Sequence, residues 1–120
     1  MPPLCENQSV RPRGKYWLET EQGAYLMGPR TYRLLKALEA TESLKAAARA
    51  AGFSYRAAWD RLRAVEGALG MPLVQSQSGG KRGGHTRLTP EGRAFLLRYE
   101  RFLALAEKGL EQAFKTAFGD

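Results

Sequence analysis

The chain has 120 residues, which suits one compact domain and leaves little room for a second, ligand-binding domain. Its formal net charge of +7 favours a polyanionic partner such as nucleic acid or an anionic lipid surface, although a solvated basic surface would give the same number. No segment is apolar enough to span a bilayer and no signal peptide is recognisable, so we expect a cytoplasmic protein without membrane association.

The N-terminal part of the chain predicts an arm followed by a β-hairpin. Residues 1–14 are rich in proline and polar side chains, so we expect a flexible arm, and the domain proper should begin at residue 15. Residues 15–20 and 24–27 carry aromatic side chains on either side of the sequence Glu-Gln-Gly. This pattern predicts two short strands joined by a turn.

The next segment predicts a helix-turn-helix. A first helix should begin at Pro29 and run to about Thr41, with its leucines facing inward. Ser43 suits the N-cap of a second helix whose packed side consists mostly of alanine, and Gly52 supplies the turn after it. Because small side chains let two backbones approach closely, this arrangement indicates two helices joined by a tight turn.

A third helix is predicted to begin after Ser54 and to run to about Leu69, where Gly70 ends it. At about 100° per residue its apolar residues fall on one side, which we expect to face the core. These residues are Ala58, Leu62, Val65 and Leu69.

The other side of the third helix is the candidate surface for DNA recognition. The second helix of such a pair commonly lies in the major groove, where an arginine near its start can bond guanine O6 and N7. The helix N-terminus also suits a phosphate. The predicted DNA contacts of this helix are Ser54, Tyr55, Arg56, Trp59, Asp60 and Arg63.

Most of these residues also have a purely structural interpretation. Arg56 and Arg63 could be solvated charges, and Tyr55 could be a packing residue. For Trp59, packing against the first helix or the wing is the preferred interpretation. Asp60 lies four residues after one arginine and three before the other, so we expect it to hold either guanidinium or to accept from a cytosine amino group.

A glycine-rich basic hairpin, called the wing below, is predicted from strands at residues 73–77 and 86–88. Glycines let a backbone approach a phosphate or enter a minor groove, and cations neutralise phosphate charge. A loose hairpin tip without a function is the alternative. The predicted DNA contacts of the wing are Lys81, Arg82, His85 and Arg87.

The sequence offers no arrangement typical of catalysis. His85 is the only histidine and Cys5 the only cysteine, and they lie far apart in the chain. The acidic residues lie mostly beside basic ones on predicted helices, as expected for solvated pairs. We therefore expect no metal site, no cofactor and no enzymatic activity.

The last predicted element is a long helix over residues 90–118, capped by Thr89. Its roughly 28 residues would extend about 42 Å, which is more than the small domain needs. Apolar residues recur at steps of three and four, and this spacing favours a homodimer, although the helix could instead cover its own core. The predicted seam consists of Leu96, Tyr99, Leu103, Ala106, Leu110, Ala113 and Ala117.

From about residue 16 onward the chain resembles the ModE family of molybdate-responsive transcription regulators. The most specific segments are residues 46–60, with the string Ser-Tyr-Arg-Ala-Ala-Trp-Asp, and residues 79–84, with Gly-Gly-Lys-Arg-Gly-Gly, followed by residues 87–92. The helix-turn-helix part is also similar to LysR-type regulators. The resemblance implies a dimeric regulator in which Ser54, Tyr55 and Arg56 contact an operator and Lys81 and Arg82 are wing contacts.

The sequence thus predicts a mainly α fold with small β-sheets: a winged helix-turn-helix domain over residues 15–120, with an N-terminal β-hairpin and a long dimerisation helix. The predicted function is sequence-specific binding of double-stranded DNA by a transcription regulator. A link to molybdenum metabolism follows from the resemblance alone. ModE-like regulators usually carry a C-terminal molybdate-binding domain, and we expect this chain to lack one, so that any effector would come from a separate protein.

Two alternatives to this function remain open. One is a sequence-tolerant, nucleoid-like nucleic-acid-binding protein. The other is an interaction module whose long helix recruits a separate effector-binding protein.

Overall fold

The computed structural model describes residues 9–77 and 84–119. Two short antiparallel strand pairs and four helices follow one another in the predicted order, so the mainly α winged-helix architecture is confirmed. The elements are β1 (Leu18–Glu19), β2 (Tyr25–Met27), α1 (Pro29–Thr41), α2 (Leu44–Ala51), α3 (Tyr55–Leu69), β3 (Val74–Gln77), β4 (His85–Leu88) and α4 (Pro90–Phe118). Of the predicted arm, only residues 9–14 are described, and they contain no helix or strand.

Three of the four helices begin at a hydroxyl side chain that accepts the backbone N–H three residues further on. The donor-to-acceptor distances are 3.1 Å at Ser43, 3.0 Å at Ser54 and 2.9 Å at Thr89. Gly52 ends α2 with φ of 78°, a left-handed conformation that glycine adopts without steric penalty. These local signals confirm the predicted positions of α2, α3 and α4.

The core lies between α1, α2, α3 and the first half of α4. Ala47, Ala48 and Ala51 of α2 are buried and let it pack closely on α1. The hydroxyl of Tyr99 donates a 2.7 Å hydrogen bond to the carbonyl oxygen of Tyr16, so the segment before β1 is held against α4. The largest fully buried side chains include Met27, Leu34, Leu35, Leu38, Leu62, Leu73, Leu96 and Tyr99.

The wing is attached to the helical body at its base. The carboxylate of Glu66 accepts hydrogen bonds from the backbone N–H groups of Leu73 and Val74, at 2.7 and 3.2 Å. The hydroxyl of Thr89 donates to the carbonyl of Pro72 at 2.7 Å. Since Glu66 of α3 and Thr89 at the start of α4 both bind the backbone just before β3, they fix where the wing leaves the body.

The first half of the long helix α4 packs against the protein's own core. Leu96 and Tyr99 are each only 1% exposed and pack within the chain itself, so assigning them to a dimer seam was wrong. Leu103 is half-buried against the same core. Further along, Ala106 and Leu110 are half-buried, while Ala113 and Ala117 are exposed. None of the described helices combines the length and apolarity needed to cross a membrane.

Candidate DNA-binding surface

The helix α3 has one buried and one exposed side. Ala58, Leu62 and Val65 are completely buried, so three of the four residues of the predicted core face are confirmed, and Leu69 is half-buried against the core. The opposite side carries Arg56, Asp60 and Arg63, all of which are exposed. The helix therefore presents two guanidinium groups to solvent while its aliphatic side is sealed.

A groove separates the start of α3 from the wing. The indole of Trp59 and the phenol of Tyr55 line its helical side, and His85 lines the wing side. Lys45, at the start of α2, also lines this groove, and sequence reasoning had not singled it out as a DNA contact. The position of Lys45 in the sequence does not indicate a DNA contact, because only the folded chain brings α2 beside the wing.

Trp59 has a packing role, and its contact with a base stays a prediction. It is half-buried against the core, and its ring also meets two exposed neighbours. The ring of Tyr55 meets it edge-on at a centroid distance of 6.4 Å, and the guanidinium carbon of Arg63 lies 5.4 Å from its centre. A cation–π contact at an exposed site contributes about 0.5–1 kcal/mol, enough to favour one direction for the arginine.

The expected pairing of Asp60 with a neighbouring arginine is wrong. Among the ion pairs of residues 9–77 and 84–119, none joins Asp60 to Arg56 or Arg63. Arg63 lies over Trp59 instead. The carboxylate is exposed, so of its two predicted roles only acceptance of a base amino group stays a prediction.

Two other arginines have structural roles. Arg61 donates to the hydroxyl of Thr31 and lies 4.5 Å from the centre of the Tyr25 ring. Arg30 lies 4.1 Å from the centre of the Phe53 ring and donates to a carbonyl at the helix-turn-helix corner. Both therefore brace the fold, in contrast to the outward-facing arginines of α3.

The structure describes two of the four predicted DNA contacts of the wing. Lys81 and Arg82 lie outside the described residues, and their contact with DNA stays a prediction. His85 is half-exposed in the groove. Arg87 is exposed, and its guanidinium forms an ion pair with the carboxylate of Glu42, a residue that sequence reasoning had not considered.

The joined helices, the exposed cationic side of the second helix and the adjacent wing define a winged helix-turn-helix DNA-binding domain. The family model described as "Bacterial regulatory helix-turn-helix protein, lysR family" matches residues 29–93. The chain therefore belongs to this family of bacterial regulatory proteins.

Several curated relatives are ModE-like, which confirms the resemblance seen in the sequence. The molybdenum-pterin-binding protein MopB of Rhodobacter capsulatus is 44% identical over 73 residues, 61% of this chain and 27% of that protein. The transcriptional regulator ModE of Haemophilus influenzae is 38% identical over 93 residues, 78% of this chain and 35% of that protein. The chain thus spans about a third of the length of these relatives or less.

Solved structures with the same fold contain DNA. The CbnR_DBD–DNA complex superposes with a TM-score of 0.56 and 27% identity, covering 73% of this chain and 95% of the other. Vibrio fischeri DarR in complex with DNA matches with a TM-score of 0.54, covering 73% of this chain and 28% of DarR. At 20% identity, the second similarity shows the shared fold alone.

Proposed function

We propose that this protein is a ModE-like transcription regulator that binds specific sites in double-stranded DNA. One observation carries the proposal: Arg56 and Arg63 are exposed on the side of α3 opposite its sealed face, beside the groove that leads to the wing. A helix that displays guanidinium groups in this way fits a major groove, where arginine discriminates guanine by about 1–3 kcal/mol.

Each predicted contact has a distinct role in this proposal. The start of α3 at Ser54 receives a backbone phosphate, and the two exposed arginines reach base edges. Tyr55, Trp59 and Asp60 form the side of α3 next to those bases. His85 and Arg87 in β4, together with the predicted contacts Lys81 and Arg82, contact the backbone or the minor groove.

Selection of bound duplexes from random DNA tests this function. We expect one recurring motif, bound about 10³-fold or more tightly than random duplex. Replacing Arg56 or Arg63 with alanine should reduce this preference about 5- to 150-fold. Arg98→Ala on α4 removes the same charge from an exposed position and serves as the control.

Two results would contradict the proposal in different ways. Recovery of no shared motif, with binding lost at high salt, would favour the sequence-tolerant alternative. Unchanged DNA affinity in both α3 variants would favour an interaction module instead.

A homodimer is part of the same proposal. Beyond the core, α4 continues to Phe118 with an apolar stripe that its own domain covers only in part. This stripe consists of Leu103, Ala106, Leu110, Ala113 and Ala117. A twofold protein would read two half-sites separated by one helical turn or a multiple of it.

The dimer is tested by sedimentation equilibrium. Leu110→Asp places a charge in the stripe and should give monomers. Leu105→Asp should leave the dimer intact, because Leu105 lies on another side of α4, about 140° around the helix from Leu110. A wild-type protein that sediments as a monomer would contradict this part of the proposal.

We further place the regulated genes in molybdenum metabolism. The support is the similarity to its relatives, which include a molybdenum-pterin-binding protein and molybdenum transport proteins. If the selected motif occurs upstream of no gene for molybdate uptake or molybdenum cofactors, this part fails while DNA recognition stands.

A further inference from the structure

The turn between α1 and α2 is joined to the wing through one residue. Glu42 accepts a 2.9 Å hydrogen bond at its carbonyl oxygen from the backbone N–H of Thr86 in β4. Its carboxylate pairs with the guanidinium of Arg87, the next residue of that strand. A single residue therefore binds the same strand through its backbone and through its side chain.

The side chain at this position is unexpected on conformational grounds. Among the described residues, Glu42 is the one non-glycine residue with a positive φ, at 55°. Glycine would adopt this left-handed conformation more easily and would still offer the carbonyl that Thr86 uses. The glutamate adds a carboxylate, and the carboxylate meets Arg87.

The partners of this ion pair are both accessible to solvent. The side chain of Arg87 is 59% exposed and that of Glu42 is 48% exposed. Arg87 lies with Gln75, Gln77 and His85 around a shallow depression on the wing, whereas the neighbouring Thr86 is buried. An exposed ion pair is weak, so a phosphate that approaches the wing can displace the carboxylate.

We propose that Glu42 limits the sequence-independent affinity of the protein for DNA by competing with DNA phosphates for Arg87. Phosphate contacts position a protein but carry no sequence information, so a freely available Arg87 would strengthen binding to every duplex equally. The carboxylate lowers this sequence-independent affinity, while the preference for a specific site remains a property of α3. This inference rests on the proposed DNA-binding function.

The test compares Glu42→Gln, Arg87→Gln and the double variant on random duplex between about 50 and 200 mM salt. Glu42→Gln should bind random duplex more tightly. The slope of its logarithmic binding constant against the logarithm of the salt concentration should steepen by about 0.9, the value for one added phosphate contact. Arg87→Gln should weaken binding less in the wild type than in the Glu42→Gln background, and the double variant should not show the gain of Glu42→Gln.

Glu39→Gln is the matched control for charge. Glu39 is also an exposed carboxylate, but its partners are Lys36 at 3.5 Å and Arg93 at 3.7 Å, neither of which lies on the wing. If both glutamine variants gain the same affinity, net charge alone explains the effect and the proposal is overturned. The proposal would also be overturned if Arg87→Gln reduced the affinity for random duplex equally in the wild type and in the Glu42→Gln background.

Two readouts separate this proposal from loss of wing structure. Exchange of the Thr86 amide should stay slow in Glu42→Gln, since the backbone acceptor is retained. If the Thr86 amide exchanges fast in Glu42→Gln, the test is made with Glu42→Asn instead, because asparagine tolerates the left-handed conformation. The same steeper salt dependence of DNA binding is then expected for Glu42→Asn. A slope that stays at the wild-type value in both variants would refute the competition.

A measurement without DNA distinguishes this proposal from the proposed function. In the free protein, the Arg87 side-chain Nε–H should exchange with water more slowly in the wild type than in Glu42→Gln. Equal exchange rates in the two proteins would contradict the ion pair between Glu42 and Arg87, whatever ligand the protein binds. A wild type without site preference would instead contradict only the proposed function.

Discussion

The guanidinium of Arg61 in α3 donates a 2.9 Å hydrogen bond to the hydroxyl oxygen of Thr31 in α1. The hydroxyl of Tyr25 in β2 donates to the same oxygen at 3.1 Å, and Thr31 is completely buried. One threonine therefore joins the N-terminal hairpin, the first helix and the recognition helix. This junction sets the orientation of α3 from the side opposite its exposed arginines.

Thr31→Val tests the importance of this junction. Valine has almost the same shape but no acceptor, so it leaves the half-buried donors of Tyr25 and Arg61 without their partner. The free energy of unfolding should fall by about 1–3 kcal/mol. Urea denaturation measures this, with the exposed Thr116→Val as control, for which we expect a change within about 0.5 kcal/mol. Equal midpoints for both variants would show that the junction contributes nothing.

The helix caps give a second prediction. Ser54→Ala removes a cap in which the hydroxyl makes one bond at an exposed position, so it should lower stability by about 1 kcal/mol. Thr89→Ala should cost about 2–3 kcal/mol, because the buried hydroxyl of Thr89 also donates to the carbonyl of Pro72. Thermal denaturation in which Ser54→Ala lost more than Thr89→Ala would contradict this order.

Local signals explain why much of the fold could be predicted from the sequence. A cap such as Ser43 or Ser54 acts on an N–H group three residues away, and a glycine such as Gly52 sets its own backbone conformation. These effects need no knowledge of the tertiary structure. The sealed and exposed sides of α3 follow from helical periodicity in the same way.

Other features depend on contacts between distant segments and could not be predicted in this way. The stripe of α4 is continuous, but only the fold shows that Leu96 and Tyr99 belong to the core and that Leu110 lies beyond it. Nothing in the sequence around Glu42 indicates a left-handed residue that meets a strand more than forty positions later. The role of Arg61 likewise requires α1 and α3 to be packed together.

A third prediction concerns alkaline pH. Burial raises the pKa of Tyr99 above its ordinary value, and nearby Tyr25 and Tyr32 raise it further. Only the neutral phenol can donate to Tyr16, so the stabilisation is fully present below the unfolded pKa of about 10 and is lost as the pH rises through the higher folded value. The free energy of unfolding should therefore decrease above about pH 10.

Tyr99→Phe isolates this contribution. Near neutral pH the variant should be less stable by about 1 kcal/mol, because the hydrogen bond to Tyr16 is lost. Its stability should then decline less steeply than that of the wild type in alkaline buffer, as measured by urea midpoints at about pH 8 and about pH 11. Tyr55→Phe, at a 54% exposed position, is the control. Parallel declines for the wild type and Tyr99→Phe would contradict the assignment.

Replacing each of the two glycines within α4 with alanine should have opposite effects on the free energy of unfolding. A Cβ on Gly92 would overlap the carbonyl oxygen of Leu73 and lie 3.0 Å from its carbonyl carbon, whereas a Cβ on Gly109 has no atom within 4 Å. Gly92→Ala should therefore force the first turn of α4 away from the base of the wing and cost about 3 kcal/mol. Gly109→Ala should add about 1 kcal/mol, since alanine is the better helix former. A Gly92→Ala protein with wild-type stability would mean that α4 and the segment before β3 approach less closely than described.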